Sequence, residues 1–293
     1  MHLSAASAKL AAALVVLAAC GTTSTATNAT TVTKEPHRIV SLSPTATEML
    51  FAIDAGPQVV AVDDQSNFPA NAPMTKLSGF QPNVEAIVAY KPDLVVAADD
   101  TGGIVHALGQ LSIATLIEPA AHNLEDSYAQ IDQLGAATGH VPEAQALVKK
   151  MRAEIAKATS LVAKPSRPLK VYHELDDTYY SATSKTFIGQ VYQLLGLTNI
   201  ADGATGAAAD YPQLSSEYIV SSNPDLIVLA DTKCCRQDVS SVGARPGWSG
   251  IAAVKSGQVI GVDDDIASRW GPRVVDFLIT VSAHVAQLEQ QAA

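Results

Sequence analysis

Residues 84–99 read VEAIVAYKPDLVVAAD, and residues 216–231 read SEYIVSSNPDLIVLAD. At an offset of 132 positions they share nine identities in 16, among them Glu85 with Glu217, Ile87-Val88 with Ile219-Val220, and Pro92-Asp93-Leu94 with Pro224-Asp225-Leu226. A repeat this far apart points to two units of one design. Each copy reads as a short helix, a Pro-Asp turn and a strand. DLVVAA and DLIVLA are apolar at successive positions, so such strands bury both faces, as in a parallel sheet covered by helices. RIVSLS (38–43), VVAVD (59–63), ATLIE (114–118), KVYHEL (170–175) and QVIGVD (258–263) follow the same plan. Helical patterns at 44–54, 102–111, 123–138, 186–195 and 271–288 separate them. Strands alternating with helices predict an α/β fold.

The expected architecture is two Rossmann-like lobes, 36–140 and 165–293, joined by one long α-helix over 141–164. Pro142 suits a first helical turn, and no Gly or Pro follows until Pro165. Leu147, Met151, Ile155, Ala158 and Val162 form one apolar stripe. About 22 residues reach roughly 33 Å, the width of a small domain. A single stiff crossing implies little hinge motion.

The amino terminus has a separate purpose. Lys9, a short apolar run and Leu17-Ala18-Ala19-Cys20 read as a secretory signal over 1–19, too short to span a bilayer as a helix. The four residues ending at Cys20 resemble the bacterial lipobox. That resemblance implies cleavage before Cys20, diacylglycerol on its sulfur, and anchorage at the outer face of the cell membrane. Residues 20–35, mostly small and polar, read as a flexible tether. The chain carries a net charge of −10, more negative by one once Lys9 leaves with the leader. That acidity argues against a nucleic-acid partner.

In open α/β sheets ligands bind beyond the carboxyl ends of the strands. Two lobes mouth to mouth therefore make a ligand cleft lined by the loops at 43–47, 63–68, 78–83, 99–103, 175–180, 231–237 and 263–271. A tethered chain with RIVSLSPTATEMLFAI, two E-x-I-V…PDL units and one linking helix resembles the helical-backbone substrate-binding proteins of ABC importers. These serve cobalamin, haem and iron–siderophores, and the likeness is greatest to the cobalamin-binding members. The resemblance implies a monomeric carrier without cofactor or resident metal, whose partners are a corrinoid or iron-chelate ligand and an ABC permease dimer. It implies permease docking through Glu85 and Glu217. In DDDIASRWGPR it matches Asp265 and Arg269 to an acid and an arginine four residues apart in the cobalamin-binding members, which leaves two roles open: hydrogen bonds to the amide and phosphate groups of cobalamin, or a local salt bridge that shapes the turn. Ile266 and Gln65 depart from the family's aromatics at those positions, whereas Phe80 and Tyr180 match aromatic ones. The expected ligand-binding set is Phe80, Asp100, Tyr180, Cys234, Cys235, Asp265, Arg269 and Trp270, with Tyr179 as a further aromatic wall.

Two other readings stay open. Asp99-Asp100, Asp176-Asp177 and Asp263–Asp265 are candidate acid/base pairs for an enzyme, but no nucleophile elbow or phosphate loop accompanies them. His173 or Tyr180 is a candidate axial haem ligand. Finally, Cys234 and Cys235 are neighbours in an oxidising compartment. With Cys20 lipidated, they pair with each other, pair with another molecule, or stay reduced. The expectation is a disulfide between them, forming a rigid lip for the ligand.

Overall fold

The computed structural model describes residues 35–162, 167–205 and 209–292. The leader, most of the tether and Cys20 lie outside them. The first lobe contains β1 (Ile39–Leu42), α1 (Pro44–Ala52), β2 (Val59–Asp63), β3 (Met74–Leu77), α2 (Val84–Val88), β4 (Leu94–Ala97), α3 (Ile104–Gln110), β5 (Ala114–Ile117) and α4 (Leu124–Thr138). Its strands form a parallel sheet in the order β3-β2-β1-β4-β5. The long helix α5 runs Val141–Ser160, shorter at its end than the apolar stripe suggested. The second lobe contains β6 (Lys170–Glu174), α6 (Phe187–Leu194), β7 (Thr198–Asn199), α7 (Ser216–Ser222), β8 (Leu226–Leu229), α8 (Val239–Gly243), α9 (Ala252–Lys255), β9 (Val259–Gly261), α10 (Asp264–Ser268) and α11 (Val274–Ala292). Its parallel order is β7-β6-β8-β9.

The seven expected strands are all present. β3 and β7 were not expected, because neither has a continuous apolar run. β3 is an edge strand buried only at Leu77, and β7 has two residues. Helix starts follow capping chemistry: Ser43, Asn83, Asn123, Thr186 and Ser215 each accept a hydrogen bond from a first-turn N–H.

One apolar cluster runs through both lobes. It joins Ile39, Leu94 and Val96 of the first sheet to Val171, Leu226 and Val228 of the second, by way of Leu134 on α4, Met151 on α5 and Leu278 on α11. Helix α5 packs against α4 on one side and α11 on the other. A continuous core behind both sheets limits how far the lobes can part.

Candidate functional site

The carboxyl ends of β1, β2 and β4 open onto a cavity of 370 Å³ whose far wall comes from the second lobe. Ser43, Asp63, Gln65, Phe80 and Asp99 meet Asp265, Ser268, Arg269 and Trp270 there. The volume sits at the small end of the ~300–1,000 Å³ typical of small-molecule pockets. Gly79 shapes the floor. A Cβ there would lie 2.4 Å from the Leu42 carbonyl oxygen and 2.9 Å from an Asp63 oxygen, so no side chain fits. Asp63 is 1% exposed, and its burial raises its pKa against hydrogen bonds from Ser66 and Gln65 that lower it.

Of the expected ligand set, the cavity wall brings together Phe80, Asp265, Arg269 and Trp270. Phe80 is 80% exposed, an apolar ring on the cavity wall. Trp270 is half-buried and fixed, its Nε1–H donating to Gln130 Oε1 at 2.8 Å. Asp100 is not in the wall. Its Oδ1 accepts the Val105 N–H at the start of α3, and neighbouring Asp99 faces the cavity instead. Tyr180 is 41% exposed and bridged to Gln213, outside this wall. Tyr179 also lies outside this wall and packs on Trp248 at 5.7 Å beneath Arg245.

Arg269 and Asp265 are already committed. Arg269 Nη1 donates to Glu48 Oε1 at 2.8 Å and Asn67 Oδ1 at 3.0 Å. Its Nη2 donates to the Gln65 carbonyl at 3.0 Å and Asp265 Oδ1 at 2.8 Å. Asp265 Oδ2 accepts from Asn67 Nδ2 at 2.9 Å and Lys233 Nζ at 2.7 Å. Burial acts to raise the Asp265 pKa, but Lys233, Asn67 and Arg269 outweigh it and hold the carboxylate below its usual range. Glu48 completes the group. Its side chain is 1% exposed, and it also accepts from Arg273 through both oxygens. Sequence reasoning missed Glu48 and Arg273. The signal was a Glu inside an otherwise apolar helix, TEMLFA, and an Arg at the start of α11.

One expectation and one half of an open reading are corrected. Cys234 and Cys235 are free thiols, not a disulfide. The loop is held by the Cys235 N–H on the Asp231 carbonyl at 3.2 Å and the Cys234 N–H on Asp264 Oδ2 at 3.0 Å. Adjacent Cα atoms across a trans peptide are 3.80 Å apart, short of the ~4.4 Å a disulfide wants, so closure would have to twist this tethered peptide. Partial burial, contact with Cys235 and the charges of Asp264 and Asp231 push the Cys234 thiol up to about 12. His173 is no axial ligand either. It is wholly buried, its Nδ1 2.6 Å from the Tyr192 hydroxyl, and burial lowers its pKa to about 3. Among the described residues, no group of three or more His, Cys, Asp or Glu is placed to hold a metal ion, and no helix is long and apolar enough to cross a membrane.

Glu85 and Glu217 are exposed in the first turns of α2 and α7. They stand at equivalent places in the two lobes, outside the cavity wall.

Comparison with known proteins agrees with this geometry. An ABC transporter substrate-binding lipoprotein of Bacillus subtilis, YvrC, is 31% identical over 255 residues, 84% of this chain and 79% of the relative. A cobalamin-binding protein of Halobacterium salinarum is 31% identical over 257 residues, 85% of this chain and 69% of the relative. The haem-binding protein RhuT of Roseiflexus sp. RS-1 superposes with a TM-score of 0.74 at 24% identity, covering 87% of this chain and 99% of that one, which speaks for the fold. The family described as periplasmic binding protein matches residues 39–266. With two parallel-sheet lobes facing one cavity and a family match from β1 to α10, the chain is a member of the periplasmic binding protein family.

Proposed function

We propose that this chain, the substrate-binding protein of an ABC importer, captures a corrinoid between its lobes and delivers it to the permease. The observation that carries the choice of cargo is the charge of the mouth. Asp99 and Asp265 face the cavity, while Arg269, Arg273 and Lys233 are bound to carboxylates of the chain itself. Exposed Arg236 is left in the loop after β8. Such a mouth suits a ring whose rim is mostly neutral amides with a single phosphate. It disfavours the paired carboxylates of haem, because the second anion moved here loses water without gaining a cation of its own. Phe80 and Trp270 supply flat apolar surface for the ring. The relatives named for cobalamin binding support the same cargo.

Titration calorimetry with cyanocobalamin, haemin and a ferric hydroxamate tests this. Cyanocobalamin should bind and haemin should bind at least tenfold more weakly. Preference for haemin or the iron chelate transfers the reading to that cargo within the same importer class. No catalysis is assigned; turnover of an ester, phosphate or glycoside would overturn that.

Delivery rests on Glu85 and Glu217, which present the same carboxylate twice to a two-fold permease. Replacing both with Arg should abolish uptake while leaving cargo affinity unchanged. The protein should act from the outer face of the cell membrane, acylated at Cys20. A Cys20→Ala chain released into the medium, with its cargo affinity intact, is the expected result.

A further inference from the structure

The hydrogen bonds that cross between lobes around the cavity converge on residues 265–273 of the second lobe. Glu48, Gln65, Asn67, Ser127 and Gln130 supply the first-lobe partners. At the centre is one buried carboxylate, Glu48, holding two guanidiniums that come from either side of the Gly271-Pro272 turn. Arg273 also stacks over Phe68 of the first lobe, 4.2 Å from the ring centroid. Arg269, Asp265 and Gln65 belong both to this cluster and to the cavity wall. The same atoms therefore join the lobes and bound the space in which cargo sits.

We propose that Glu48 is a positioning residue that sets the width of the cleft. Its carboxylate holds the α10–α11 turn against α1, and so determines how thick a ligand the mouth accepts and how fast that ligand leaves. This deepens the reading of the cavity as the cargo site and rests on it. Three features support the assignment. The pairing is charge-assisted and forked, which fixes orientation as well as distance. The side chain is 1% exposed, so solvent does not replace a lost partner. Lobe opening at this edge would strip both arginines of the same acceptor at once. Asn67 and Lys233 extend the cluster to the loop of Cys234, so the edge reaches from α1 to the loop after β8.

The test compares Glu48→Gln, which keeps shape and removes charge, with Arg273→Gln, which leaves the Glu48–Arg269 pair in place and guards against failure of the first variant to fold. Amide exchange is read without cargo, and cyanocobalamin release is read by stopped flow. Exchange should quicken at 65–68 and 265–273 while β1, β4, β6 and β8 keep their protection. Release should quicken at least tenfold in Glu48→Gln and less in Arg273→Gln. Exchange rising evenly through both sheets would reduce Glu48 to a fold-stabilising residue and overturn the proposal, as would unchanged exchange at the mouth. If cyanocobalamin fails to bind the unaltered protein, the cargo reading falls, while the exchange data still decide whether Glu48 holds the cleft edge.

Discussion

Asp93 and Asp225 occupy the same place in the two repeats and perform the same task. Asp93 accepts the N–H groups of His37 and Arg38 at 2.8 and 2.9 Å and returns its own N–H to the Arg38 carbonyl. Asp225 accepts the Lys170 N–H at 2.8 Å and returns its N–H to the Lys170 carbonyl. Arg38 caps the Tyr90 carbonyl, and its counterpart Lys170 caps the Ser222 carbonyl. At the opposite ends of the same strands the likeness fails. β1 ends in Leu42 where β6 ends in Glu174. Asp99 after β4 is exposed on the cavity, whereas Asp231 after β8 is fully buried. The ends that start the sheet keep their chemistry because they close the backbone. The ends that face the cleft have each been reworked, one into a wall and one into a sealed, charged pedestal for the Cys234 loop.

Forcing the first lobe's residue onto the second gives the largest expected effect. Glu174 is fully buried and takes a forked pair of 2.6 Å bonds from Arg245, which lies over Trp248. Glu174→Leu would strand that arginine, and breaking one partner of a buried pair costs about 3–5 kcal/mol. Urea unfolding should show the loss. A cost near that of a surface substitution would mean that water or Gln237 satisfies Arg245, and the pedestal would not be a charged one.

The equivalence at the opposite ends predicts a smaller, graded pair. Asp225→Ala should destabilise by roughly 2–3 kcal/mol, since Asp225 is 5% exposed and also pairs with Arg167. Asp93→Ala should cost about 1 kcal/mol, because exposed Asp93 leaves its N–H partners free to meet water. Equal losses would show that burial does not distinguish the two turns.

How this was legible follows from the same division. The repeat, the buried strands and the linking helix show in sequence because apolar runs and Pro-Asp turns are local signals. The cleft is less legible, because its residues are set by contacts across 198 to 225 positions. Asp265 and Arg269 stood out as a pair four apart, but that Glu48 and Asn67 of the other lobe complete them has no local trace. For the same reason the sequence pointed to Asp100 where the cavity wall has Asp99, and only the hydrogen bond from the Val105 N–H shows that Asp100 is turned to the first turn of α3 instead. His173 lies near the end of β6, and only the packing of Tyr192 and Phe277 shows that it points into the core.

The smallest effect probes Asp231 against Asp99. Burial, then the neighbouring charge of Glu174, raises the Asp231 pKa to about 7. The unfolded chain releases this proton near the ordinary aspartate value of 3.8, whereas the folded chain keeps it until about 7. Between those values the folded state binds more protons, so stability falls as pH rises through the window and levels off above 7. The slope from one such group is at most about 1.4 kcal/mol per pH unit. His173 acts in the opposite sense. Its pKa is lowered by burial to about 3, so its contribution rises with pH between about 3 and 6.5. Buried Glu118, raised to about 8 by burial, acts in the same sense as Asp231. A raw stability curve therefore mixes opposed terms, and a difference is needed. Asp231→Asn should flatten the fall between pH 5 and 7 by roughly 1 kcal/mol relative to wild type. Asp99→Asn, the same change at the exposed equivalent, provides the reference through identical His173 and Glu118 terms. If the two variants give parallel curves of unfolding free energy against pH, Asp231 is ionised in the fold and the pedestal holds two negative charges against one arginine. If only Asp231→Asn flattens, the second lobe seals a protonated carboxyl where the first lobe presents an open one to the cavity.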